Sequence, residues 1–242
     1  MDNITLISCS YNTPEVTLTM LKSFFKHHNS TNVLLIDNST NADTKKLLEI
    51  NNIPFISSPG GVHIKSVDKL FAKINTKYAL LVDTDVIFLK NNESIFKQFC
   101  EHDLTLLGDV CGDRGGKKIH YRVHPWYCFI NVDNIKANNI TFFNSKKQFE
   151  HSDKIYDVGC TFYSDIKEAG LKIGDIKVEN VFYKHYEGMS WRTKRFGSED
   201  GDIDFSETDT HNNINMYNYG KHIEECYAAE IETYKDITLK IK

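Results

Sequence analysis

The chain has no apolar run long enough to cross a bilayer, no CxxC pair and no marked excess of either charge. Its longest apolar stretch, around 78–89, is interrupted by Asp83 and Asp85 and falls short of the roughly 20 residues a spanning helix needs. No transmembrane segment is therefore expected. A net charge of −4 and a pI of about 6.2 provide none of the basic field on which binding to a nucleic-acid backbone depends. Nucleic acid is not an expected partner, and an anionic ligand would have to be met locally, by a metal or a few placed cations. Cys9, Cys100, Cys111, Cys128, Cys160 and Cys226 are scattered, several of them in apolar runs where cysteine behaves as a small hydrophobe. They read as reduced thiols of a cytoplasmic protein, and the opening Met1-Asp2-Asn3 is not that of a signal peptide. There is no internal repeat and no clean linker, so the 242 residues are expected to form one domain over 1–242. A chain of this length buries roughly 70–75% of its extended surface and needs no disulfide or metal to fold.

Apolar runs and helical spacings alternate along the first ninety residues. A strand is expected over 4–8. Thr13 and Pro14 then mark a helix start, a capping hydroxyl followed by a ring that gives up no needed N–H. Val16, Met20, Leu21, Phe24 and Phe25 recur at helical spacing through His28. Further strands are expected over 32–37, 54–57 and 78–82, with helices over 41–49 and 65–74 between them. Tyr78-Ala79-Leu80-Leu81-Val82 is apolar throughout, as a strand covered on both faces should be. This order predicts an α/β fold with a doubly wound, mostly parallel sheet flanked by helices. The rest is less regular: a helix over 92–100, strands over 104–107, 127–132 and 181–185, a turn into a helix over 153–170, and a last helix over about 214–234.

In such a sheet ligands bind beyond the carboxyl ends of the strands. Four strand ends carry suitable groups: Tyr11, Asp37, Gly60-Gly61, and Asp83 with Asp85. The two carboxylates of Asp83-Thr84-Asp85 stand at i and i+2, on one side of an extended segment. At the end of a buried strand they would be costly without a counter-charge. Mn2+ or Mg2+ suits such oxygens and bridges to substrate phosphates; the plainer alternative is a solvated acidic turn. Tyr11 offers a ring to stack on a base, or packs on the helix start. Asp37 can accept from a uracil N–H or a ribose hydroxyl, or close an Asx turn with Asn38 and Ser39. His63 either touches the nucleotide or merely opens a helix.

Ile4-Thr5-Leu6-Ile7-Ser8-Cys9-Ser10-Tyr11-Asn12, Leu34-Leu35-Ile36-Asp37-Asn38-Ser39-Thr40 and Tyr78-Ala79-Leu80-Leu81-Val82-Asp83-Thr84-Asp85, in this order and spacing, resemble the family 2 glycosyltransferases of the GT-A fold. The likeness covers roughly the first hundred residues. It implies a nucleotide-binding half over 1–100 and an acceptor-binding half over 101–242. It further implies that Tyr11 and Asp37 flank the base, that the loop from Gly60-Gly61 to Lys65 touches base or ribose, that Asp83 faces ribose and metal, and that Asp85 ligates the metal. The family usually carries two acidic residues after the second strand; here the second is Asn38, which loosens the assignment of the base contacts but not of the metal.

Three later segments add candidates. His185, at the end of a late strand, can reach the metal of Asp85, and GT-A enzymes often take a late histidine as a further ligand. Lys184 to Trp191 also resembles the His-x-x-Gly segment of glycogenin-like retaining enzymes. Alternatively, His185 is a packed strand-end residue. Arg192 and Lys194 suit phosphate, and with the acidic stretch 199–209 they form either a lid over the donor or a solvated loop. Trp126 and Tyr127 could stack on a sugar, whereas His120 and His124 read as structural or acceptor-site residues. Asp157, expected to open a helix, is the choice for the carboxylate that removes the acceptor's proton, with Glu150 and Asp153 as rivals. Asp200-Gly201-Asp202-Ile203-Asp204 lacks the glycine and terminal glutamate of a calcium loop.

The expected activity is transfer of a sugar from a nucleoside-diphosphate donor, UDP by preference, to a glycan or other hydroxyl acceptor, with inversion. A retaining glycogenin-like transferase and a carbohydrate-binding module are the alternatives. So is a sugar-phosphate nucleotidylyltransferase, which would carry a Gly-rich basic loop after the first strand where this chain has Ser10-Tyr11-Asn12-Thr13.

Overall fold

The computed structural model describes residues 3–114, 117–148, 157–186, 188–189 and 210–242. In chain order the elements of the first part are β1 (Ile4–Ser10), α1 (Pro14–His27), β2 (Asn32–Asp37), α2 (Asp43–Ile50), β3 (Phe55–Ser57), α3 (His63–Lys73), β4 (Tyr78–Val82), β5 (Val86–Phe88) and α4 (Glu93–Glu101). There follow β6 (Leu106–Arg114), β7 (Lys117–Asn131), α5 (Val132–Ala137), α6 (Ser145–Gln148), α7 (Cys160–Glu168), β8 (Ile173–Asp175), β9 (Tyr183–His185) and α8 (Thr210–Tyr234). Seven strands form one sheet in the order β3-β2-β1-β4-β7-β6-β8. Its pairings are parallel except for those that β7 makes with β4 and β6. β5 and β9 make a separate antiparallel ribbon. None of the described helices is long and apolar enough to cross a membrane.

The inner strands are apolar on successive residues because both faces are covered. Leu6, Leu35 and Leu80 point into a core roofed by Phe24 and Phe25 of α1. Their neighbours Ile7, Ile36 and Leu81 point into a second core with Val67 and Leu70 of α3 and Phe162 of α7. The period of two along each strand sends adjacent side chains to opposite layers, and each fully buried aliphatic side chain contributes about 1.5–3 kcal/mol.

Three expectations are corrected. Pro14 does open α1, but the Thr13 side chain makes no cap hydrogen bond; its carbonyl instead accepts from both the Thr17 amide and hydroxyl. The strands expected over 104–107 and 127–132 are the inner ends of a long hairpin, β6–β7, whose outer part carries polar side chains and irregular register after Gly108 and Cys111. The residue preceding α7 is Gly159, at φ +87°, and not Asp157.

Candidate metal and nucleotide site

β4 ends at Val82, and the chain turns through Asp83 into β5. β5 pairs with β9 so that Val86 stands opposite His185. This ribbon brings a residue from late in the chain beside the acidic pair. Ligand atoms of Asp83, Asp85 and His185 lie within 4.8 Å of one another, and His185 Nε2 is 3.2 Å from Asp85 Oδ1. The other oxygen, Asp85 Oδ2, accepts from the amides of Gly188 at 3.1 Å and Met189 at 3.3 Å. Asp85 is thus buried but aimed, one oxygen fixed by backbone and one turned to the cluster.

The electrostatics suit a cation. Burial disfavours a charged His185, yet the Asp85 carboxylate, and Asp83 beyond it, raise its pKa above the usual value. Burial likewise resists ionisation of Asp83, but His63, His185 and Arg122 hold its carboxyl below the ordinary range. The pull that draws a proton to the His185 ring would draw a divalent metal, which needs that ring neutral. Two carboxylates and one imidazole, from the β4–β5 turn and β9, form a donor set that fits Mn2+ or Mg2+, the imidazole favouring the former.

His63, at the start of α3, reaches the same cluster, its Nε2 3.7 Å from Asp83 Oδ1. Burial lowers its pKa, but Asp83 and Cys9 outweigh this and raise it well above the usual value. Gly61 lies just before, pressed so closely that an added Cβ would stand 2.5 Å from Asn38 Oδ1 and 2.8 Å from the Ser58 carbonyl. Asn38 is structural here: its Oδ1 accepts from the Ser66 hydroxyl at 3.0 Å, tying the end of β2 to α3. Asp37 is buried, and its Oδ1 accepts from the Ser39 amide at 3.0 Å in an Asx turn. Tyr11 is half-buried at the end of β1, and Lys65 is exposed on α3.

On the other side of the cluster, one face of β7 presents Arg122, His124 and Trp126. The Trp126 ring stacks on His185 with centroids 4.5 Å apart and on His124 at 3.8 Å. Burial, with Arg122 nearby, pushes the His124 pKa down to about 4. Arg122 is buried, sits 5.7 Å from the Trp126 ring centre, and pairs with Asp157 Oδ2 at 2.7 Å. Asp157 Oδ1 accepts from the Val158 amide. Tyr127, expected as a sugar platform, is instead in the core, stacked on Tyr183 at 4.3 Å.

Asp83, Asp85, His185 and His63 therefore converge, and Asp157 joins them through Arg122 and Trp126. Arg192, Lys194, Glu150 and Asp153 lie outside the described residues, as does the stretch 199–209. Sequence reasoning missed Arg122. Its signal was the alternation of Ile119, Tyr121 and Val123 with His120, Arg122 and His124, a strand with one polar face. The Gly188 and Met189 amides have no side-chain signature.

No protein-family model matches the chain, and no curated protein matches it in sequence. Solved structures match at the level of fold. The mannosyltransferase PcManGT of Pyrobaculum calidifontis, in complex with GDP-Man and Mn2+, gives a TM-score of 0.57 at 10% identity, over 78% of this chain and 59% of that one. The glycosyltransferase GlyE of Streptococcus pneumoniae gives 0.56 at 8% identity, over 96% and 64%. Residues 1–349 of Staphylococcus aureus TarS in complex with UDP give 0.51 at 15% identity, over 76% and 60%. The chain spans less than two thirds of each of these three. The fold is that of the GT-A glycosyltransferases, without family 2 in particular being singled out.

Proposed function

We infer that the chain is a metal-dependent glycosyltransferase that moves a sugar from a nucleoside-diphosphate donor to a hydroxyl acceptor. The observation that carries this reading is the convergence of Asp83, Asp85 and His185 at the carboxyl edge of the sheet, where a donor diphosphate would lie. The fold shared with three sugar-transferring or nucleotide-bound proteins supports it, and UDP is the preferred nucleotide, as in the TarS complex. Bound Mn2+ or Mg2+ would supply positive charge against the diphosphate as it departs.

The chain's own groups do the rest. Tyr11 and Gly61 border the base, with Asp37 behind them, and His63 and Lys65 approach the ribose side. Arg192 and Lys194, outside the described residues, are assigned to the phosphates on their charge alone. Asp157, oriented by Arg122 and the Val158 amide, takes the proton of the acceptor hydroxyl. The acceptor oxygen then bonds to the anomeric carbon while the bond to the diphosphate breaks, its electron pair leaving with the phosphate and the carbon inverting.

A thermal-shift panel of nucleotide sugars with and without Mn2+ tests this. A cognate donor at a hundred times its Kd stabilises by about 2.7 kcal/mol, and the shift should need Mn2+ and vanish in Asp85→Ala. Asp157→Asn should keep the shift and lose transfer by on the order of 100-fold or more, and the anomer of the product separates inversion from retention. No shift with any donor would sink the reading in favour of a carbohydrate-binding module.

A further inference from the structure

Behind the acidic cluster lies a third apolar core, distinct from the two that cover the sheet. It joins Val16 of α1 and Ile87 of β5 to Tyr186, Met189 and three residues of α8, Ile223, Tyr227 and Tyr234. Tyr227 is fully buried, meets the Tyr186 ring edge-on at 5.0 Å, and donates its hydroxyl to the Val16 carbonyl at 3.2 Å. The Tyr186 hydroxyl donates to Glu230 Oε1 at 2.7 Å and accepts from Lys184 Nζ at 2.7 Å.

The stretch so gripped is the one on which two metal ligands depend. It carries His185, it supplies the Gly188 and Met189 amides that hold Asp85 Oδ2, and its Tyr186 amide donates to the Asp85 carbonyl at 2.9 Å. The strand β9 that leads into it is only three residues long, and Gly188 takes φ +84°. The Tyr186 and Met189 side chains pack with α8, outside the two cores of the sheet.

We propose that α8 is the positioning element of the metal site, clamping Tyr186 and Met189 through Tyr227 and Glu230 and so fixing Asp85 and His185 around a divalent cation. This rests on the reading of Asp83, Asp85 and His185 as metal ligands. Groups that orient ligands in this way typically govern metal affinity by about 10–100-fold.

The test titrates the 242-residue chain with Mn2+ alone, following free Mn2+ by electron paramagnetic resonance and the folded fraction by circular dichroism. Tyr227→Leu should weaken the Kd of the folded molecules about tenfold, Glu230→Ala should weaken it severalfold, and Tyr227→Phe, which keeps the ring, should restore it. A merely structural role would lower the number of binding-competent molecules and leave their Kd unchanged. Native affinity in Tyr227→Leu and Glu230→Ala would overturn the proposal alone; if Tyr227→Leu does not fold, Glu230→Ala decides. Absence of Mn2+ binding by the native chain would overturn the metal-site reading itself, and this proposal with it.

Discussion

The two sides of the candidate site are built from different materials. Beside β1, β2 and β3 the strand ends are laced mostly by neutral groups, the Asp37 carboxylate on the Ser39 amide being the exception. The Asn12 backbone amide donates to the Ser39 hydroxyl oxygen and its side-chain amide to that of Thr40, and Asn38 Oδ1 accepts from the Ser66 hydroxyl. Beside β7 the corresponding work falls to ions, with Arg122 on Asp157 and His185 on Asp85. Neutral hydrogen bonds cost little to bury when satisfied and are indifferent to salt and mild acid. Buried ion pairs carry a desolvation penalty that their attraction barely offsets. The neutral side therefore reads as a preformed frame, and the charged side as a surface kept ready for a charged ligand.

The sharpest way to break this contrast is to remove a cation from the charged side. Arg122→Ala removes the cation paired with buried Asp157 and should cost about 3–5 kcal/mol, whereas the double change Arg122→Met with Asp157→Asn should cost distinctly less. Urea denaturation of both variants checks this. Equal losses would mean that the pair is worth its attraction, and the contrast would fail.

A separate neutral contact, at the other end of α1, is the one that acid should attack: His28. Its Nδ1 donates to the Phe24 carbonyl at 2.8 Å, and its Nε2 accepts from the Asn92 amide at 2.9 Å. A ring held in that way must be neutral. Burial drives its pKa down to about 4 from the usual 6.5. Below pH 6.5 the unfolded chain takes up a proton that the folded chain refuses, so stability falls as pH drops from 6.5 toward 4, by about 3 kcal/mol in all from this group. Comparing the pH dependence of unfolding in the native chain and His28→Gln isolates the effect; identical slopes would mean that acid does not act at His28. The smallest expected effect is at Gly61. Gly61→Ala must displace Asn38 or the Ser58 backbone and should cost about 1–3 kcal/mol, seen as a lowered Tm. A neutral result would show the loop to be softer than its contacts suggest.

What could be read from the residues follows the same division. The strands at 32–37 and 78–82 match to the residue, because a strand buried on both faces leaves an unbroken apolar run between polar ends. The acidic pair was legible as well, since carboxylates directly after such a run demand a partner; His185, suggested by its place at a strand end and by the resemblance to GT-A enzymes, lies beside them. The hairpin β6–β7 was legible only where it enters the core. Its outer half alternates polar and apolar side chains, and that face, with Arg122, was passed over for the apolar end at 127–132. The role of Asn38 was hidden because an amide at a strand end looks like any turn residue until its partner on α3 is known. The grip of the Gly188 and Met189 amides on Asp85 depends on tertiary folding alone.

The β5–β9 ribbon has a consequence for how the protein comes into being. Asp85 and the amides that hold it are 103 and 104 residues apart, and α8 packs behind them from further along still. Closing contacts so far apart along the chain carries a larger loop-entropy cost than closing local ones, and a chain in which β9 has not yet paired lacks the amides that fix Asp85 Oδ2. Binding of a cation at Asp83, Asp85 and His185, as proposed above, would therefore wait until β9 has joined β5.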